Sequence, residues 1–198
     1  SPPHRKAAAD LLLLLLLSLR GNAFLYQGEE LGLPQGQVGF EDLQDPEAIA
    51  NWPRTLGRDG ARTPFPWRSG EPNAGFSTAK PWLPVDAAHQ ALALDTQAND
   101  PASSLNLTRK LIKLRKASPA LRWGEIEFLN DNGPVLAFRR RYEDEEILCV
   151  FNLSDEQADV PAHLSSDPAT LIAACNMPNH QEKLPHELGP WAGFWARL

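Results

Sequence analysis

The sequence predicts a chain in two parts, an α/β part followed by an all-β part. Two observations carry this reading. Within residues 7–27 a leucine-rich helical stretch, a glycine turn and a short apolar run follow one another. In the last third, apolar and polar residues alternate with a period of two. The boundary is expected near residue 121, giving parts 1–121 and 122–198. The second part is expected to close its own core.

Seven consecutive leucines, Leu11–Leu17, follow Ala7, Ala8, Ala9 and Asp10 and precede Ser18, Leu19 and Arg20. A membrane-spanning helix needs about 20 apolar residues. This run is too short, and Asp10 and Arg20 close it at both ends. His4, Arg5 and Lys6 ahead of it raise a signal peptide as the alternative, but no small-residue cleavage site follows. A helix buried on most sides is the reading adopted. Gly21 then makes the turn, and Asn22–Gln27 is expected to be a buried strand of the parallel kind. Glu29 and Glu30 end it.

From residue 33 to 104 periodicity is weak and proline frequent. Proline is 18 of 198 residues, roughly twice the usual share of about 5%. Trp52, Phe65, Trp67, Phe76 and Trp82 are costly to leave in water, which predicts ordered loops rather than disorder. Short helices are expected near 45–51 and 86–96. Residues 103–121 predict a longer helix. Ser103 or Ser104 caps it, and Leu107, Leu111, Leu114 and Ala117 recur at helical spacing beside Ile112. Lys110, Lys113, Arg115 and Lys116 suit its C-terminal half, and Ser118-Pro119 stops it. Strands then follow at Ile126–Phe128, Val135–Arg139 and Ile147–Asn152, with turns at Asn130–Gly133 and Glu143–Glu146. Two more are expected near 170–174 and 191–197.

The net charge of −6, with no long basic run, argues against a nucleic-acid partner. Cys149 and Cys175 make no disulfide framework; they fit a reducing compartment or two buried thiols, and a cytoplasmic location is expected. His4, His89, His163, His180 and His186 lack metal-site spacing, so neither metal nor cofactor is expected. The sequons at Asn106 and Asn152 are read as chance matches. The chain starts with Ser1 and its one methionine is Met177, so a mature form or a piece of a longer protein is expected.

The residues with chemistry stand in Gly57–Trp67, where Arg58 and Arg62 flank Asp59 and a glycine. A guanidinium fork suits carboxylates, phosphates or paired sugar hydroxyls. An Arg–Asp pair that only pins the loop accounts for the same residues. Gln27, Glu29 and Glu30 close the expected strand, at the end where α/β folds place their sites. Neighbours on a strand face opposite ways, so Glu29 and Glu30 do not converge as an acid/base pair. They are expected to tie down loop backbone or an arginine.

LLLLSLRGNAFLYQGEELGLP (14–34) resembles the seventh helix and eighth strand of α-glucosidases of the α-amylase superfamily, glycoside hydrolase family 13. GRDGARTPFPW (57–67) resembles their RDGxRTPM loop, departing at Phe65-Pro66. NAGFSTAKPWLPV (73–85), SSLNLTRKLIKLRKASPAL (103–121) and LCVFNLS (148–154) are similar to the segments that follow. The resemblance implies the end of a TIM (β/α)8 barrel, its last helices and eighth strand, followed by a small antiparallel β-sheet domain C. It implies a retaining enzyme acting on oligosaccharides or glucosides, oligo-1,6-glucosidase-like. Such enzymes use an Asp nucleophile, a Glu acid/base and a further Asp in an NHD motif. No NHD occurs here, so the chain is expected to be a C-terminal third without catalytic carboxylates and inactive alone. Arg62 is implied to bind the non-reducing-end glucose, and Glu47 to lie at the leaving-sugar side. Arg58, Asp59, Glu29 and Glu30 are left to shape loops. A non-catalytic sugar-binding or assembly module is an alternative, as is a transglycosylase or isomerase of the same superfamily.

Overall fold

The computed structural model describes residues 4–55, 57–129, 133–165, 169–177 and 184–198. It forms two compact units, Ser1–Phe24 with Leu107–Leu198, and Leu25–Asn106.

The first unit is built on a five-stranded antiparallel sheet of order β1-β2-β3-β7-β5. Its strands are β1 (Glu125–Phe128), β2 (Val135–Tyr142), β3 (Glu145–Asn152), β5 (Thr170–Cys175) and β7 (Gly193–Arg197). Two-residue strands β4 (Ala158–Asp159) and β6 (Glu187–Leu188) pair separately. The register sets Phe138 opposite Cys149, and Cys149 opposite Trp195. Because side chains alternate along a strand, Phe138, Arg140, Ile147, Cys149, Phe151 and Trp195 share one face. Ala137, Leu148, Val150, Phe194 and Ala196 share the other, which packs on Val160, Leu164, Leu184 and Leu188. Both faces are buried.

Helix α1 (Arg5–Ser18) covers the first face. It packs on β3, β5 and β7 and buries Leu11, Leu13, Leu14 and Leu17, while Leu12 stays 53% exposed. Gly193 lies beneath it: a Cβ there would stand 2.6 Å from Leu11 Cδ1 and 2.8 Å from the Val150 carbonyl. Residues 122–198 thus share this core with α1. The sheet has two apolar faces, and residues before 122 cover one of them.

Two arginines finish α1. Arg115 Nη1 donates to the Leu17 and Leu19 carbonyls at 2.8 and 3.0 Å, and Nη2 donates to Gly21 at 2.6 Å. Arg140, fully buried, donates to the carbonyls of Ser18, Leu121, Gly124 and Glu125. Positive charge at a helix C-terminus also complements the helix dipole. The predicted helix 103–121 divides at Ser118 into α5 (Ser104–Ala117) and α6 (Pro119–Trp123). The Ser118 hydroxyl accepts from Leu121 N–H and so caps α6. Both cysteines are free and buried, and burial pushes the Cys175 thiol up to about 12.

The predicted strand at Asn22–Gln27 is not formed. The segment joins no ladder, with Phe24 81% and Tyr26 54% exposed. A strand exists only through its neighbours, and the described residues bring none alongside. The expected turn at Asn130–Gly133 falls largely outside the described residues, as does His180.

The second unit is mostly irregular. Short helices α2 (Pro46–Asn51), α3 (Ala87–Ala91) and α4 (Leu94–Ala98) stand among 3-10 turns. A small core joins Leu31, Phe65 and Leu105, with Leu33, Leu94 and Ala98 against it. Buried Gln97 donates to the Leu31 and Leu92 carbonyls and accepts from Leu105 N–H. Ser103 Oγ accepts from Asn106 N–H, capping α5.

Leu14→Ala should cost about 2–5 kcal/mol, the usual range for a leucine deleted from a packed core. Leu12→Ala should stay within about 0.5 kcal/mol. Gly193→Ala should also destabilise, because the Val150 main chain cannot give way. Urea unfolding followed by tryptophan fluorescence checks all three. Equal effects at positions 12 and 14 would contradict the packing described.

Candidate functional site

The Gly57–Trp67 loop lies in the second unit and is held by buried carboxylates. Asp45 sits at the N-cap of α2, where its Oδ1 accepts from Glu47 N–H at 3.2 Å. Its Oδ2 accepts from Arg58 N–H at 2.9 Å and from Arg58 Nε at 3.0 Å. The Arg58 side chain, and then its main-chain N–H, hold the Asp45 carboxyl well below the usual carboxylate range. Asp59 is fully buried, and its Oδ2 accepts from the N–H groups of Gln44 and Asp45 at 2.7 and 2.8 Å. Its Oδ1 is buried without a hydrogen-bond partner. The Arg–Asp pair expected within the loop thus forms, but with Asp45, thirteen residues back. Asp59 instead binds main chain.

Past Asp59 the loop makes one 3-10 turn, Asp59–Ala61. Gly36 N–H donates to the Gly60 carbonyl at 2.9 Å. The two chains approach so closely that a Cβ on Gly60 would lie 2.4 Å from the Gly36 carbonyl. Arg62 N–H donates to the Asp59 carbonyl at 2.9 Å. Its half-buried side chain makes no hydrogen bond or ion pair to any described residue. Thr63 is buried, and so is Phe65.

Glu29 and Glu30 do not stand on a strand. They open a 3-10 turn, Glu29–Leu31, so the opposite-facing argument does not apply. Glu29 Oε2 accepts from Tyr26 N–H at 3.0 Å, and Glu30 Oε2 accepts from Gly28 N–H at 2.8 Å. Exposed Glu47 accepts from Thr55 Oγ1 at 2.8 Å.

A cavity of about 190 Å3 joins this turn to the loop. Tyr26, Gln27 and Glu29 line one side, Gly60, Ala61 and Thr63 another, with Gln35 and His89 between. Arg62, Arg58, Glu47 and Glu30 are not among its lining residues. Sequence reasoning singled out neither Asp45, His89 nor Thr63. The Asp-Pro-Glu start of α2 (Asp45–Glu47) is a helix-cap signal that could have found Asp45; nothing local points to the other two. Among the described residues no cluster of three or more His, Cys, Asp or Glu is placed to hold a metal ion. No helix among them is long and apolar enough to cross a membrane.

Comparison with known proteins gives a consistent result. The family described as alpha amylase, catalytic domain, matches residues 2–124. The family described as maltogenic amylase, C-terminal domain, matches residues 126–195. A probable alpha-glucosidase of Rhizobium meliloti (strain 1021) is 44% identical over 194 residues, which is 97% of this chain and 34% of that protein. Probable oligo-1,6-glucosidase 2 of Bacillus subtilis (strain 168) is 33% identical, over 78% of this chain and 31% of that protein. Among solved structures, the alpha-glucosyl transfer enzyme XgtA superposes with a TM-score of 0.83 at 40% identity, covering 99% of this chain and 36% of that one. An isomaltulose synthase mutant from Erwinia rhapontici NX5 superposes with a TM-score of 0.84 at 30% identity, covering 100% of this chain and 39% of that one. The chain thus spans about a third of the length of the curated relatives it matches.

The Asp45 carboxylate predicts an acid-sensitive loop. A carboxyl whose folded-state pKa is depressed adds stability above its unfolded value, near 3.9, and that stability is lost as pH falls. Melting temperature should therefore drop below about pH 4, with a shallower drop in Asp45→Asn. Arg58→Ala should lower the melting temperature at neutral pH, by leaving the Asp45 carboxylate without its counter-charge. Thermal melts from pH 2 to 7 on the three proteins check this. Parallel curves would remove Asp45 from the account.

Proposed function

The chain belongs to the α-amylase family of glycoside hydrolases, and from that premise we propose that it is part of a retaining α-glucosidase. The proposed substrates are short oligosaccharides or glucosides ending in α-linked glucose. The observation that carries the reading is the state of Arg62. Its main chain is fixed by the Asp59–Ala61 turn, while its guanidinium has no partner among the described residues. A planar fork of donors on a rigid loop is suited to a pair of neighbouring sugar hydroxyls.

The chain's own acids are not assigned the chemistry. Retaining hydrolysis uses two carboxyl groups about 5–5.5 Å apart across the bond. Glu29 and Glu30 each accept a main-chain N–H of their own turn. Asp45 and Asp59 are buried in loop contacts. The family's catalytic carboxylates are therefore carried over onto no residue here, and the chain is proposed to bind and shape rather than to cleave. Glu47 is proposed for the leaving-sugar side, where its exposure leaves it accessible.

Glucosyl transfer is the second reading. It is favoured by the 40% identity to a protein described as an alpha-glucosyl transfer enzyme. Both readings use Arg62 alike and differ in whether water or a sugar accepts the glucosyl group.

A charged hydrogen bond is worth about 1.5–3 kcal/mol. Arg62→Ala in the enzyme containing this chain should thus lower kcat/KM for 4-nitrophenyl α-glucoside by about 10- to 150-fold. Arg62→Lys should recover little, since a point charge does not reproduce the fork. The chain assayed alone should show no turnover. A wild-type kcat/KM in Arg62→Ala would sink the assignment. Product analysis with added maltose separates the two readings: glucose alone means hydrolysis, and lengthened oligosaccharides mean transfer.

A further inference from the structure

We propose that His89 is a positioning residue for Arg62, acting through Thr63; the proposal deepens the reading of Arg62 given above and rests on it. His89 is buried on α3. Its Nε2 lies 2.7 Å from the Pro34 carbonyl oxygen. A carbonyl only accepts, so Nε2 carries the hydrogen. Nδ1 lies 3.1 Å from Thr63 Oγ1, and in the neutral ring it accepts from that hydroxyl. One rigid ring thus ties residue 34 to residue 63.

The ring itself is held. At the N-cap of α3, Asp86 Oδ2 accepts from Gln37 N–H at 2.7 Å, and on α3 Gln90 Nε2 donates to the Ser69 carbonyl at 2.7 Å. A Cβ on Gly36 would stand 3.2 Å from His89 Cε1 and 3.0 Å from Thr63 Cγ2, so ring, threonine and chain are in close contact. Thr63 is gripped again at its carbonyl, which accepts from Gln27 Nε2 at 3.2 Å.

Thr63 shares a peptide bond with Arg62. With no partner for the Arg62 guanidinium among the described residues, the region it can reach is set by where its main chain is held. That main chain is fixed before Arg62 by the Asp59 carbonyl and after it by Thr63. The first hold is main-chain geometry alone. The second depends on two side chains distant in sequence, His89 and Gln27.

The test uses the enzyme containing this chain, 4-nitrophenyl α-glucoside, and melting temperatures for every variant. Thr63→Val keeps the shape and removes the hydroxyl. It should lower kcat/KM about 5- to 30-fold, less than the roughly hundredfold that a full 1 Å misplacement can cost. His89→Gln, which keeps a donor for Pro34 and loses the bond to Thr63, should match it. Thr63→Ser restores a hydroxyl and should recover most of the loss. In an Arg62→Ala background, Thr63→Val should change kcat/KM less than about twofold, because its effect runs through Arg62. An undiminished loss in that background, or no loss in Thr63→Val alone, overturns the positioning role. A wild-type kcat/KM in Arg62→Ala overturns the underlying reading, and this proposal with it.

Discussion

Every main-chain N–H and C=O taken out of water must find a partner. In helices and sheets the backbone supplies it. Among the described residues, 25–106 hold no sheet and only short helices, so buried side chains supply part of it, beside main-chain bonds in turns. Asp59 accepts two consecutive N–H groups, Asp45 accepts those of Arg58 and Glu47, and Gln97 serves Leu31, Leu92 and Leu105. His89 serves the Pro34 carbonyl. The same need is met in the other unit at the end of α1, where Arg115 and Arg140 collect its last carbonyls. Buried Asn152 does likewise for Glu156, Leu188 and Gly189.

This division explains what could be read from the sequence. The leucine helix, the helix ending at Ser118 and the period-two strands depend on local patterns, and each was legible. The strand at Asn22–Gln27 was misread because its apolar run describes what the segment would bury, not what lies beside it. What covers the sheet's first face was hidden for a related reason. The apolar runs of β3 and β7 bury both faces, but nothing along them says that α1 covers one.

The candidate site was legible only in part. Arg58, Asp59 and Arg62 stood out because arginines beside an acid and a glycine are locally conspicuous. Their partners were hidden by distance along the chain: Asp45 is 13 residues from Arg58, and His89 is 26 from Thr63. An isolated histidine among alanines carries no signal until the fold places a carbonyl on one side and a hydroxyl on the other. Glu29 and Glu30 were expected to close a strand, and they open a 3-10 turn instead. The functional consequence lies in the same hydrogen bonds. A loop whose backbone is held by buried side chains needs neither helix nor strand, and among the described residues the Arg62 guanidinium has no partner.

That hold on the loop is the central claim, and residue-resolved amide hydrogen exchange tests it most directly. The N–H groups of Gln44, Asp45 and Arg58 point at buried carboxylates, and that of Gly36 at the Gly60 carbonyl. At neutral pH these four should exchange at least about a hundredfold more slowly than in an unstructured peptide, despite lying outside helix and strand. Exchange at the unstructured rate would show that the carboxylates do not hold the loop, and that Arg62 is not presented on a fixed frame.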